Sequence, residues 1–243
     1  MGKRKPLCFL KFGRKQDLES LCNGNIYTNN SEYFEKLEET IEKKKCIGDE
    51  NELKLPIISN NFRIQSTDVP DLIIHGKNTK MKYFIKEDRK KAIFCLYGLY
   101  EDDFVFDEIT NKVKLQLSEE KKKYIINNFD DGERDSVVIF QADLLITAIE
   151  YACRKENIEV IHDEIKFYDI NMPYIEQIED YINKREKRFF WKDEGYLNQQ
   201  EYRFIFAKNI EEGQVLLNIG EHFKMNIPVK IKDFISEYEI LIG

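Results

Sequence analysis

The run Tyr196-Leu197-Asn198-Gln199-Gln200-Glu201-Tyr202-Arg203-Phe204-Ile205-Phe206 constrains the fold more than any other part of the chain. From Glu201 onward it reads as a strand. Tyr202, Phe204 and Phe206 alternate with Glu201, Arg203 and Ile205, and a period of two places the three rings on one face. The same alternation sets Gln199, Glu201 and Arg203 together on the other side. One carboxylate on a rigid strand, with an amide two residues before it, is what a site needs to steady a sugar cation beside a leaving base. It is also the pattern of an ordinary strand with one solvated face, and the rest of the chain has to separate the two readings.

Composition narrows the classes. A length of 243 residues with 42% hydrophobic and 13% aromatic side chains suits a folded core rather than a disordered chain. A net charge of -7 argues against binding along duplex DNA, where phosphate neutralisation supplies most of the affinity. The five cysteines form no CxxC pair, and the three histidines, His75, His162 and His222, share no ligand spacing. That pattern predicts reduced thiols, no structural zinc and no catalytic metal. After the basic Met1 to Lys5, the apolar run from Leu7 to Leu10 is far too short to span a bilayer. The expectation is a cytoplasmic protein without a membrane segment.

Along the chain, Leu7 to Phe12 and Asn25 to Thr28 read as short strands flanking a helix from Asp17 to Cys22, with Gly24 as its left-handed terminator. Ser31 is placed to cap a helix carrying Phe34, Leu37 and Ile41, with Lys43 to Lys45 in its last turn. Residues 46–89 lack clear periodicity and read as strands and long loops. Ala92 to Tyr100 is apolar enough for a central strand, and Ser118 caps a helix to Asn128 before the turn Asp130-Asp131-Gly132. Val137 to Gln141 reads as a strand, followed by a helix marked by Leu144, Ile146, Ala148, Ile149 and Ala152. Glu164 to Ile170 reads as a strand, then a helix opened by Pro173 with Ile175, Ile178 and Ile182 inward. Gln214 to Ile219 follows, and the chain closes on Tyr238 to Ile242. No linker or repeat interrupts this order, which predicts one α+β domain over residues 1–243.

The N-terminal segments Phe9-Leu10-Lys11-Phe12-Gly13 and Leu18 to Phe34, with Phe189-Phe190-Trp191 and Gln200-Glu201-Tyr202-Arg203 near the end, resemble a broad family of bacterial and phage proteins. That family is in turn similar to a distant branch of the ADP-ribosyltransferase superfamily. The resemblance implies a split pair of mostly antiparallel sheets flanked by helices and clasping NAD as a substrate. It implies Glu201 as the residue that stabilises the ribosyl cation and Gln199 as the one that positions the acceptor. Lys11 would pair with the pyrophosphate, Thr28 and Ser31 would hydrogen-bond ribose or carboxamide, and Tyr27 would stack on nicotinamide. Arg203 would complete the cofactor-binding set. The implied partner is a protein or single-stranded nucleic-acid acceptor, in a phage or bacterial defence or counter-defence setting. Two departures stand out: Lys11 occupies the place of an arginine or histidine, and Gly48 to Glu52 lacks the family's Asn-Asp-Pro.

Two other readings stay open on the sequence. The fold can persist as a scaffold that binds and inhibits a host or defence protein without catalysis. Alternatively, Glu52-Leu53-Lys54 and Glu164-Ile165-Lys166 match the Glu-x-Lys half of a magnesium nuclease motif, with Asp49 or Asp143 as a second acid.

Overall fold

The strand that begins at Glu201 lies inside a six-stranded sheet rather than at a solvated edge. The computed structural model describes residues 4–40, 51–65, 73–107, 112–172, 174–210 and 214–237. In chain order the first elements are β1 (Cys8–Gly13), α1 (Lys15–Cys22), β2 (Asn25–Thr28), α2 (Ser31–Thr40), β3 (Leu55–Gln65), β4 (Ile73–Tyr83) and β5 (Lys91–Leu99). The middle supplies β6 (Phe104–Asp107), β7 (Lys112–Leu115), α3 (Glu119–Phe129), β8 (Ser136–Gln141), α4 (Ala142–Lys155), β9 (Val160–Glu164), β10 (Lys166–Tyr168) and α5 (Ile175–Ile182). The last are β11 (Trp191–Asp193), β12 (Glu201–Asn209), β13 (Gln214–Asn218), β14 (Val229–Lys230) and α6 (Ile231–Glu237).

The order in the large sheet is β14-β8-β1-β5-β12-β9, beside four two-stranded ribbons, so the class is α+β. Every pairing in the large sheet is antiparallel. Its two faces are covered differently. One face carries a continuous apolar cluster in which Phe9, Phe94, Val138, Phe140, Tyr202, Phe204 and Phe206 meet Leu18 and Leu21 of α1 and Leu145 and Ile149 of α4. The other face holds two separate clusters. In one, Leu10, Tyr97 and Val137 pack with Ile125 of α3 and Phe234 of α6. In the other, Ile93 and Ile205 pack with Leu53, Phe189 and Phe190.

Sequence signals explain most elements. Ser118 accepts a hydrogen bond from the Lys121 backbone N–H, the cap that opens α3. Gly24 takes φ 91°, and a Cβ there would sit 2.2 Å from the Gly220 carbonyl oxygen, so this crossing of β2 and the residues after β13 requires glycine. Four expectations change. Asn30, not Ser31, caps α2: its Oδ1 accepts from the Tyr33 N–H at 3.0 Å. The stretch read as a single strand from Glu164 is divided between β9 and β10, because the Ile165 N–H turns to the Glu201 carbonyl at 3.0 Å. In α4 it is Leu145 that is buried, while Leu144 is 57% exposed. The face of α5 is reversed: Gln177, Asp180 and Tyr181 are buried, whereas Ile175 and Ile182 are 77% and 68% exposed. Asp180 is drawn inward by the Trp191 indole, whose Nε1 donates to it at 3.0 Å. Ile41, Lys43 to Lys45, Pro173 and the closing segment lie outside the described residues, as does Asp49.

Candidate functional site

The site is set by a fork in the sheet. β1 pairs with β5 only from Cys8 to Leu10, opposite Leu99 to Tyr97, while its pairing with β8 continues to Gly13. Beyond Leu10 the Phe12 ring lies face to face with Phe129 of α3, centroids 4.2 Å apart, and edge-on to Tyr97 of β5 at 5.9 Å. Further along β5, Ile93 is bridged instead by Asn29, the residue after β2. Between these two partners, the Cys95 carbonyl accepts a hydrogen bond from Lys11 Nζ at 2.7 Å. A cavity of about 260 Å³ opens there, with Lys11, Tyr27, Cys95, Lys192, Gln199 and Glu201 among its lining.

Its floor is an ionic cluster that fills the gap between the two apolar clusters of that face. Glu201 is directly opposite Tyr97, and Arg203 opposite Cys95, on the paired strands β12 and β5. Lys192 Nζ donates to Gln199 Oε1 at 2.8 Å and to Glu201 Oε2 at 2.7 Å. Arg203 Nε donates to Glu201 Oε1 at 2.8 Å, and its Nη1 donates to the Phe189 carbonyl at 2.8 Å. The remaining anion is Glu52, 2.7 Å from Arg203 Nη1 and 4.0 Å from Lys192 Nζ. Two carboxylates thus face two cations, all four residues being buried. Neutralisation on this scale is what permits charge in a dry interior.

The electrostatics follow from that packing. Burial acts to raise the Glu201 pKa, but Arg203 and Lys192 outweigh it and hold the carboxylate well below the usual range. Arg203 is held in its charged form by Glu201 and Glu52 against the opposing effect of its own burial. The Cys95 thiol is pushed up to about 12, by burial first and by Glu201 second, which keeps it protonated and a poor nucleophile. Desolvation lowers the Lys11 pKa, an effect that Cys95 and Glu201 oppose.

Of the residues singled out in the sequence, Lys11, Tyr27, Gln199 and Glu201 come together around the cavity, from positions 190 residues apart. Three do not border it. Thr28 is buried, and its hydroxyl has no hydrogen-bonding partner among the described residues. Ser31 Oγ donates to the Arg89 carbonyl at 3.2 Å. Arg203 is fully enclosed and spent on Glu201, Glu52 and Phe189, which leaves no guanidinium edge for a ligand. Gln199 reaches the site from a tight 3-10 turn, Glu194–Gln199, rather than from the strand itself. Trp191 is buried and lies outside the cavity lining.

The sequence does not single out Lys192, and it marks Glu52 only within the Glu52-Leu53-Lys54 triplet and the acidic loop, not as a partner of Arg203. Lys192 follows Trp191 on a strand, where successive side chains point to opposite faces, so its neighbour gives no sign that the ammonium is buried. Glu52 lies 151 residues from Arg203, and no local pattern links them. The magnesium motif triplets are engaged in other pairs: Lys54 with Glu35 at 3.1 Å, Lys166 with Glu176 at 2.7 Å, and Asp143 with Lys5 at 2.8 Å. Among the described residues no three histidine, cysteine or acidic side chains gather as metal ligands, and no helix is long and apolar enough to cross a membrane.

No family model, curated protein or solved structure matches the chain.

Proposed function

We propose that the chain is an ADP-ribosyltransferase-like protein that takes NAD at the fork between β1 and β5. The observation that carries this reading is the convergence of Lys11, Tyr27, Gln199 and Glu201 on one cavity where the sheet divides. The divergence of β1 from β5, within one six-stranded sheet, supports this reading, since the sequence resemblance implies sheets that part around NAD. A volume of about 260 Å³ fits the nicotinamide–ribose end of a dinucleotide better than the whole molecule. Tyr27, 53% exposed, offers its ring to a cationic nicotinamide. Lys11 offers a point charge to phosphate.

Transfer breaks the bond between ribose C1′ and the nicotinamide nitrogen. The bonding pair leaves with nicotinamide, and the sugar passes through an oxocarbenium-like state, as in glycoside hydrolysis. An acceptor hydroxyl, amine or amide then adds at C1′ and releases its proton to solvent. Glu201 stays ionised at neutral pH because Arg203 and Lys192 flank it, and they fix its orientation. A carboxylate already held in place costs no reorganisation when positive charge develops on the sugar. The acceptor is a protein or a single-stranded nucleic acid, in a cytoplasmic defence or counter-defence role.

One observation favours a second reading, a catalytically inactive binding scaffold: both Glu201 oxygens already accept from cations. Release of nicotinamide from labelled NAD, in the presence of cell lysate, separates the two. Glu201→Gln is expected to slow release and transfer by about 10²- to 10³-fold while circular dichroism stays unchanged. Wild-type protein that is folded yet neither hydrolyses NAD nor transfers from it would leave only the scaffold.

A further inference from the structure

A second cavity, of about 700 Å³, lies on the other side of Tyr97, which borders both. The three residues at the entry to β12 divide between them: Gln199 and Glu201 line the first cavity, and Gln200 lines the second. This division depends on the backbone. Gln200 adopts φ 42° and ψ 43°, the left-handed region, which is strained for a residue with a Cβ. The Gly98 N–H, which donates to the Gln200 carbonyl at 2.8 Å, helps to hold it there.

Two polar atoms on this wall are buried without a hydrogen-bonding partner among the described residues: the Tyr97 hydroxyl and Gln200 Oε1. Buried polar atoms are nearly always hydrogen-bonded, so an unpaired hydroxyl beside an unpaired amide oxygen suits a ligand with complementary donors and acceptors. The rest of the lining is rich in carboxamides, Asn127, Asn128 and Asn198, and in phenol rings, Tyr100 and Tyr124. Amides match the edge of a base and phenols match its face. The charged members have mixed sign. Arg4 and Lys121 are paired with Asp102 and Asp103, Lys123 adds a cation, and Glu120 and Glu164 supply carboxylates. That balance disfavours a long polyanion and leaves room for one nucleotide unit.

We propose that this second cavity binds a single nucleoside or nucleotide, its base edge read by the Gln200 carboxamide and the Tyr97 hydroxyl. With NAD in the first cavity, a reading on which the identity of the nucleoside rests, the ligand is either the adenosine half of the same dinucleotide or the acceptor base. The shared chemistry is the same in both.

Titration of the whole protein with adenosine and cytidine monophosphates, followed by ligand-observed NMR, tests the proposal. At least one nucleotide is expected to bind. Gln200→Gly, which relieves the left-handed strain and removes the amide, and Tyr97→Phe should each weaken binding by about tenfold. Saturating NAD assigns the source: displacement of the nucleotide identifies the adenosine half, and simultaneous binding identifies an acceptor. Nicotinamide mononucleotide titrated in parallel reports on the first cavity where Tyr27→Ala weakens its binding and Gln200→Gly does not, so failure there is distinguishable from failure here. No nucleotide bound at millimolar concentration, or binding that both variants leave unchanged, would overturn the assignment.

Discussion

The two faces of β12 are equally dry and chemically opposite. Tyr202, Phe204 and Phe206 enter a continuous apolar cluster under α1 and α4. Glu201 and Arg203, from the alternate positions of the same strand, are as buried as those rings, yet they sit in a four-charge cluster between two smaller apolar groups. The first face holds together by removing area from water, without regard to direction. The second depends on pairing: each charge is tolerated because another lies within hydrogen-bonding distance. A dense apolar face has little use for a ligand. A charged face that reaches a cavity is where chemistry can occur.

The comparison is sharpened most by truncating each face in turn. Arg203→Ala would leave Glu201 and Glu52 with Lys192 as the cation beside them, and is expected to cost about 3–5 kcal/mol in denaturant unfolding. Phe204→Ala should cost a similar amount through lost burial and a residual cavity. The two differ in rescue. Adding Glu52→Gln to Arg203→Ala should restore part of the loss, because one unpaired carboxylate is removed. No neighbouring charge change should rescue Phe204→Ala. If Glu52→Gln instead adds its own full cost to that of Arg203→Ala, the two faces are not distinct in the way described.

Acid gives a smaller and graded version of the same contrast. The Glu201 pKa is depressed in the folded state, so the stability it contributes is present above the unfolded carboxylate value, about 4.3. That contribution is lost as pH falls below this value toward the folded one. Asp131 behaves alike: burial alone would raise it, but the Arg134 hydrogen bonds bring it down to about 2. The chain should therefore lose denaturant resistance progressively below about pH 4, and Glu201→Gln should flatten that decline. An unchanged acid slope in the variant would mean that Glu201 is not held ionised by its neighbours.

The sequence disclosed the apolar face and hid the charged one. Alternating rings at Tyr202, Phe204 and Phe206 have no other economical reading than a buried strand face. Glu201 and Arg203 look the same whether the opposite face meets water or meets Glu52 and Lys192, since the neutralising partners come from β11 and from the segment before β3. The convergence of Lys11 with Glu201 was legible as motif order. The fork that makes it a cavity was not, because the contacts on either side of it, Phe12 on Phe129 and Asn29 with Ile93, join residues far apart in sequence. In α5, isoleucines spaced at i, i+3 and i+7 predicted an inward stripe. The Trp191 indole claims Asp180, turning the polar side inward instead.

The most direct test is a map of amide shifts in isotope-labelled protein during titration with NAD. The perturbations are expected to concentrate at Leu10 to Phe12, Tyr27 to Asn29, Phe94 to Tyr97 and Gln199 to Glu201, with the α4 face under Phe204 unmoved. Shifts confined to other surfaces, or none at saturating NAD, would contradict a nucleotide site at the fork.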